Sequence, residues 1–174
     1  KIAQTEKTGA VFIEFPEDVA KLPAEATPWP VNHPFPAEPA QQQVEKAAEL
    51  GMPAIAVTDQ HNLFALVKFY LAAEKAGIKP IAGADVLLRS PEDPDHVSRL
   101  VLLCQNNTGY LNLCELISQG YLEGQHHGVP YVRRDWVEDH SEGLIALSGA
   151  REGDIGQAIL AGHPNRARKL AQAW

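Results

Sequence analysis

The sequence of 174 residues predicts an α/β domain with mostly parallel strands, arranged as a barrel or a layered sheet. Helical and strand-like segments alternate from Gln41 onward. The strand-like segments are short and nearly all apolar, which is typical of parallel strands covered on both faces. A unit of helix, glycine, strand and aspartate occurs twice, and its aspartates, Asp59 and Asp85, are 26 residues apart. That period matches one αβ unit of a barrel or layered sheet.

The first 40 residues differ in composition from the rest of the chain. They hold seven of the 13 prolines and one strand-like stretch, Ala10–Phe15. Proline lacks a backbone N–H and fixes φ, so the stretch from Thr27 to Pro39 can be neither a helix nor an inner strand. We interpret residues 1–40 as a strand plus a Pro-rich loop of uncertain origin, and residues 41–174 as an incomplete αβ domain. The loop is a surface insertion or, alternatively, a polyproline recognition segment.

The first repeat unit is predicted as a helix over Gln41–Leu50, which ends at Gly51, and a strand over Ala54–Thr58. A second helix over Leu63–Ala76 follows, with Asn62 as its N-cap. Spacing at i, i+3, i+4, i+7 and i+8 predicts its buried face as Leu63, Leu66, Val67, Tyr70 and Leu71.

The second half of the chain continues the alternation. We predict strands at Pro80–Leu88, Leu100–Cys104 and Gly143–Ser148, a polar loop at Ser90–Ser98, and closing helices at Asp154–Leu160 and Asn165–Trp174. The helix after Cys104 is predicted to bury Tyr110, Leu113, Cys114 and Ile117.

Composition excludes several classes of protein. The net charge of −7 makes the chain a poor binder of phosphate backbones, so we expect no direct DNA binding tighter than about 10⁻⁴ M at physiological salt. No apolar run approaches the length of a membrane span, and no signal-peptide core is seen. The sequence has only two cysteines, Cys104 and Cys114, and their spacing disfavours a disulfide scaffold or a cysteine zinc site, which is typical of a reducing cytoplasm.

Two carboxylates are predicted at the ends of parallel strands, where active sites of αβ folds gather. Asp59 lies in the segment Thr-Asp-Gln-His-Asn, and Asp85 follows the next strand. Carboxylate and imidazole are ligands for Zn, Mn or Fe. The alternative is structural, with Asp59 and Asn62 capping the following helix.

Four segments of the chain resemble the polymerase and histidinol phosphatase (PHP) domain of bacterial DNA polymerase III alpha subunits. They read AAELGMPAIAVTDQHNLFALVKFY, AAEKAGIKPIAGADVLL, LVLLCQNNTGYLNLCELIS and EGLIALSGAREGDIGQAIL. The resemblance implies a distorted αβ barrel at the N-terminus of a far larger polymerase. In some related domains, clustered His, Asp and Glu side chains bind metal ions for phosphoesterase or proofreading nuclease activity. In others the site has decayed, and the domain is a platform for the proofreading exonuclease subunit.

The metal-site positions depart from the family pattern. The first strand lacks its histidines, Gln60 stands where a histidine is expected, and His61 occupies a glycine position. Asp85 replaces a glutamate. Arg99 replaces a histidine, and its guanidinium would repel a divalent cation and pair with Asp59 or Asp85.

We therefore expect no catalytic residue and no cofactor in a cytoplasmic, catalytically inactive platform for DNA replication. Its partner would be the proofreading exonuclease subunit or another replisome protein, and an incomplete barrel would self-associate or be covered by a rearranged first segment. One alternative is a metal-dependent phosphoesterase or proofreading-type nuclease using Asp59, His61 and Asp85. Another is an engineered or stand-alone αβ domain that binds a partner through its Pro-rich segment.

Overall fold

The computed structural model describes residues 38–89 and 96–174. The predicted strand Ala10–Phe15, nearly all of the Pro-rich loop and most of the predicted Ser90–Ser98 loop lie outside the described residues.

The described chain alternates helices and strands. Seven strands and helices run through the first part: α1 Glu38–Glu49, β1 Ala54–Gln60, α2 Leu66–Lys75, β2 Lys79–Arg89, β3 Val97–Cys104, α3 Asn107–Leu122 and the short β4 Gln125–His126. The second part comprises β5 Val129–Pro130, α4 Arg134–Asp139, β6 Leu144–Ser148, a 3₁₀ turn Ala150–Glu152, α5 Asp154–Leu160 and α6 Pro164–Ala173. The predicted α/β class is confirmed, and most predicted elements lie within three residues of the observed ones.

The four main strands form one sheet in the order β1-β2-β3-β6. Of the neighbouring pairs in this sheet, β1–β2 is parallel, whereas β2–β3 and β3–β6 are antiparallel. Strand β6 therefore runs in the same direction as β1 and β2, and β3 alone is reversed. The prediction of mostly parallel strands is therefore wrong for the strand pairing, because two of the three neighbouring pairs are antiparallel. Seven residues separate Arg89 from Val97, and a parallel crossover needs a dozen or more, so β3 can only return antiparallel. Within the described residues the sheet is open, with β1 and β6 as its outer strands.

One face of the sheet carries the main core. Alternate residues of β2 and β3, including Val86 and Leu102, pack against Leu113 and Leu116 of α3. The residues between them project to the opposite side, which we call the open face; it comprises Asp85, Leu87, Arg99, Val101, Leu103, Ile145 and Leu147. Ile145 and Leu147 on this face are 43% and 47% exposed. The apolar strands are thus covered on one face within the described chain.

Helix α2 begins three residues later than predicted and buries a different face. Its N-cap is Ala65, which makes no side-chain cap. Phe69 and Ala73 are buried against α1, whereas three residues of the predicted face are largely exposed, namely Val67 (70%), Tyr70 (45%) and Leu71 (62%). The small Ala73 lies four residues after the bulky Phe69 and leaves room for close packing against α1.

Helix α3 is also rotated from its predicted orientation. Leu113 and Leu116 are fully buried, while Tyr110 is 40% exposed. Both cysteines are free and half-buried, and burial raises the pKa of Cys104 to about 11. No helix in the described part of the chain is long and apolar enough to cross a membrane.

Candidate functional site

A polar cluster lies on the open face, where β1 and β6 end. Asp85 of β2 is opposite Gln60 of β1, and Arg99 of β3 is opposite Leu87 of β2. Residues in register project to the same face, so Asp85, Gln60 and Arg99 share the open face. The backbone N–H of Gly149, just after β6, donates to the Arg99 carbonyl at 3.1 Å.

Arg99 joins two carboxylates in this cluster. Its Nε lies 3.5 Å from Oδ2 of Asp85, and its Nη1 lies 3.0 Å from Oε2 of Glu152. The Asp85 side chain is only 18% exposed, whereas those of Arg99 and Glu152 are 35% and 57% exposed. Of the two carboxylates considered as partners of Arg99, the structure pairs it with Asp85. The guanidinium thereby links β2, β3 and the 3₁₀ turn.

Asp59 lies on the opposite face of the sheet from Asp85. It is in register with Ala84, a residue of the main core, so its side chain projects towards the helices. There its Oδ2 accepts a hydrogen bond of 2.6 Å from the backbone N–H of Ala65, the residue before α2. The Oδ1 of Asn62 accepts one from the Phe64 N–H at 2.8 Å. Both side chains thus stabilise the turn into α2, and Asn62 is not its N-cap.

His61 follows β1 and is 8% exposed. Its backbone has φ +56, a conformation that histidine adopts less readily than glycine, and its N–H donates to the Asp85 carbonyl at 2.8 Å. The Nε2 of His61 and the Oδ1 of Asp85 are buried, and neither has a hydrogen-bond partner among the described residues. The backbone hydrogen bond therefore holds two under-satisfied polar side chains close together, one just after β1 and the other on β2.

Burial shifts the pKa values of both groups towards their neutral forms. The pKa of His61 is lowered, mainly by burial and further by the positive charge of Arg99. Burial raises the pKa of Asp85; Arg99 opposes this rise, and Glu152 adds to it. The neutral forms are favoured because water is partly excluded from the cluster.

These residues do not fit a metal ion. The described chain contains no group of three or more His, Cys, Asp or Glu side chains that could hold one. Asp59 faces away from Asp85, and the guanidinium of Arg99 already lies against the Asp85 carboxylate. A fixed positive charge at this carboxylate disfavours a divalent cation by like-charge repulsion.

Glu152 was missed by the sequence reasoning. It lies 53 residues after Arg99, and the signal available was its position just after the apolar strand that ends at Ser148. Gly149 permits the approach, because a Cβ there would lie 2.5 Å from both the Cβ and the carbonyl oxygen of Arg99.

The stability of the chain is expected to depend on pH through His61. Its pKa is lower in the folded state than in the unfolded state, so the unfolded chain binds more protons between those two values. The His61 contribution is therefore present above pH 6.5 and is lost as the pH falls towards the folded pKa. Asp85 acts in the opposite sense, because its folded pKa is raised. A His61→Asn variant should lose less stability than the parent chain between pH 7.5 and 5.5, as measured by urea unfolding.

Asparagine is chosen because it tolerates positive φ. His163, which is exposed, supplies the control, and His163→Asn should keep the parental pH dependence. An equal loss of stability in the parent chain and the His61→Asn variant would show that His61 does not carry this dependence.

Comparison with known proteins identifies the class of this domain. The family model described as "PHP domain" matches residues 37–174, and the chain belongs to this family.

The similar curated proteins are more specific. The chain is 56% identical over 127 residues to the DNA polymerase III subunit alpha of Pseudomonas aeruginosa, covering 73% of this chain and 11% of that protein. It is 51% identical over 120 residues to the subunit of Escherichia coli K12, covering 69% and 10%. With the subunit of Vibrio cholerae it shares 47% identity over 131 residues, covering 75% and 11%. The predicted resemblance is confirmed, and the chain spans about a tenth of the length of these relatives.

Proposed function

We propose that this chain is the PHP domain of a replicative DNA polymerase III alpha subunit and acts as a catalytically inactive platform for protein interactions in DNA replication. Identities of 47–56% to such subunits over most of the chain support the assignment. The proposal includes a cytoplasmic location and, in the whole protein, a barrel-like closure of the sheet. The partner would be the proofreading exonuclease subunit or another replisome protein.

The observation that carries the inactive assignment is the position of Arg99. A carboxylate in a partly buried pocket needs a positive partner, because burial disfavours its ionised form. Arg99 supplies that charge to Asp85 and Glu152 without a metal. It cannot activate a water molecule as a bound metal does, because a guanidinium offers no open coordination position.

The metal-dependent phosphoesterase remains the second candidate, and the geometry gives it little support. Of its three ligands, Asp59 faces the helices and accepts the Ala65 N–H. His61 and Asp85 then leave two donors beside a cation, too few for a hydrolytic site. The third candidate, partner binding through the Pro-rich segment, concerns residues almost entirely outside the described ranges.

The open face is relevant to association. It carries Ile145 and Leu147, both more than two-fifths exposed, on the outer strand β6. Exposed apolar residues beside an unpaired strand edge favour contact with another polypeptide, so they support the expectation of self-association or of a covering segment.

Metal analysis together with a hydrolysis assay tests the inactive assignment. The purified chain is dialysed against Zn²⁺ or Mn²⁺, freed of excess metal, and assayed on bis-p-nitrophenyl phosphate with and without chelator. We expect substoichiometric metal and no chelator-sensitive hydrolysis, both in the parent chain and in an Arg99→Lys control that keeps the positive charge. Stoichiometric metal with chelator-sensitive hydrolysis would overturn the proposal. The platform role is tested separately, by titrating the chain with the exonuclease subunit from the same organism.

A further inference from the structure

Charge is distributed unevenly along the chain. From Ile155 to Trp174 there is no aspartate or glutamate, and three basic residues, Arg166, Arg168 and Lys169, lie on α6. The chain as a whole carries 22 acidic and 15 basic residues. The helical hairpin of α5 and α6 is therefore a basic region on an acidic protein.

The cations of α6 are presented to solvent. Ala167 is buried, Leu170 is half-buried, and Arg166, Arg168 and Lys169 are exposed. At 100° per residue, Arg168 and Lys169 lie opposite the side that packs, and Arg166 lies on its flank. None of the three has an ion pair or a side-chain hydrogen bond within the described chain. The positive charge of this hairpin therefore has no ion-pair partner among residues 38–89 and 96–174.

The end of α6 is held in place by specific contacts. The indole Nε1 of Trp174 donates to Oδ2 of Asp154 at 3.0 Å, which joins the end of the chain to the start of α5. The Nη2 of Arg134 donates to the Ala173 carbonyl at 2.6 Å, and the Arg134 guanidinium lies 4.1 Å from the centre of the Trp174 ring. A surface held in this way loses less conformational entropy on binding.

Aliphatic side chains accompany the cations. Ile159 and Leu160 at the end of α5 are 59% and 73% exposed. Hydrogen bonds from His163 N–H to the Ala158 carbonyl and from Gly162 N–H to the Ile159 carbonyl close the end of α5, and α6 begins directly after them. The hairpin thus offers aliphatic and basic side chains from consecutive, mutually packed helices.

We propose that the α5–α6 hairpin is a docking surface for an acidic, amphipathic segment of a partner protein. Carboxylates of the partner would pair with Arg166, Arg168 and Lys169, and its apolar side chains would cover Ile159 and Leu160. The inference rests on the proposed platform role and adds to it the surface and the chemistry of the partner.

The observations favour a polypeptide over a nucleic acid. Helix α6 has 10 residues and is about 15 Å long, so its three cations can neutralise only a few phosphates. Binding through so few contacts is weak at physiological salt, and the net charge of −7 opposes it further. A phosphate backbone also has no apolar surface to cover Ile159 and Leu160, whereas an amphipathic peptide does.

The test is fluorescence anisotropy with the 174-residue chain and a designed probe. The probe is a labelled peptide of about four helical turns, with leucines on one face and glutamates beside them. A matched peptide carries glutamine in place of glutamate, and a labelled DNA duplex is the third probe. We expect saturable binding of the glutamate peptide that weakens with salt, and weaker binding of the other two probes.

Two triple variants localise the binding site. Arg166→Gln, Arg168→Gln and Lys169→Gln together should weaken binding of the glutamate peptide about tenfold, as expected for the loss of three exposed ion pairs. Lys46→Gln, Lys75→Gln and Lys79→Gln make the same change in net charge elsewhere and should leave affinity within about twofold. Leu160→Gln should also weaken binding.

Several outcomes would overturn the proposal that the α5–α6 hairpin is a docking surface. These are no binding of the glutamate peptide, equal losses in the two triple variants, no loss in Leu160→Gln, equal affinity for the glutamine peptide, or tighter binding of the duplex. Circular dichroism of each variant separates loss of the surface from loss of the fold. Failure of the platform proposal is distinguishable, because it would appear as phosphoesterase activity or as no affinity for the exonuclease subunit, whatever the peptides do.

Discussion

Replacing Arg99 with alanine is expected to lower the free energy of unfolding by about 1–2 kcal/mol, because it leaves the Asp85 carboxylate without its positive partner. A fully buried pair would cost about 3–5 kcal/mol on loss of one member. Here the Asp85 side chain is 18% exposed but Arg99 is 35% exposed, so solvent screens part of the interaction. Urea unfolding at neutral pH measures the change.

A double-mutant cycle separates the ion pair from other effects of the substitution. In an Asp85→Asn background, Arg99→Ala should cost clearly less, because no buried carboxylate is then left unpaired. Arg151→Ala is the matched control, since Arg151 is exposed and has no ion pair within the described residues. It should change stability by less than about 0.5 kcal/mol. If Arg99→Ala changes stability no more than Arg151→Ala, Arg99 is a solvated residue at the strand end and the substitution argument is wrong.

Gly109→Ala is expected to destabilise the chain by about 3 kcal/mol, at the upper end of the usual cost of overpacking. In an ordinary helix position, this change would stabilise by up to about 1 kcal/mol, because glycine is a poor helix former. Gly109 is buried in the first turn of α3, and a Cβ there would overlap the backbone carbonyl of Gly143, just before β6. Because both partners in the clash are backbone, no side-chain rotation can relieve it.

Two substitutions in the same helix calibrate this prediction. Thr108→Ala changes an exposed neighbour and should alter stability by less than about 0.5 kcal/mol. At Gly120 a Cβ would lie 3.3 Å from the Tyr131 carbonyl oxygen, which a small shift can accommodate, so Gly120→Ala should cost much less than Gly109→Ala. A Gly109→Ala variant as stable as the parent chain would mean that α3 and β6 are not in close contact at this point.

The spacing of Asp59 and Asp85 in the sequence predicted only part of the geometry of the site. The 26-residue repeat places Asp59 and Asp85 at equivalent points of two units, and sequence reasoning treated them as neighbours at one sheet edge. The strands do pair in parallel, but Asp85 is opposite Gln60 rather than Asp59. Because side chains alternate between faces, this offset of one residue puts the two carboxylates on opposite sides of the sheet. Sequence similarity between two units does not specify the hydrogen-bonded register between them.

The spacing of apolar residues also failed to predict which faces of the helices are buried. In α2 the larger apolar stripe, with Val67 and Leu71, is exposed, and the narrower pair of Phe69 and Ala73 is buried. A stripe of apolar residues shows that a helix face is hydrophobic, but the partner helix decides which face packs against it. Here the shape of α1, with Val44 and Ala47 at the contact, selected the face that fits.

By itself the sequence determined the α/β class, the order and approximate bounds of the longer helices and strands, and the resemblance to PHP domains of DNA polymerase III alpha subunits. Local periodicity, glycine stops and short motifs carry these properties, and all of them are encoded within a few residues of where they act. Only the tertiary structure decided that β6 pairs with β3 and that Asp59 faces away from the polar cluster. It also decided that Glu152 forms an ion pair with Arg99, which also pairs with Asp85. These outcomes depend on strand register and on the packing of elements distant in sequence. The free energy that stabilises them comes from contacts between those elements, and local sequence patterns do not specify such contacts.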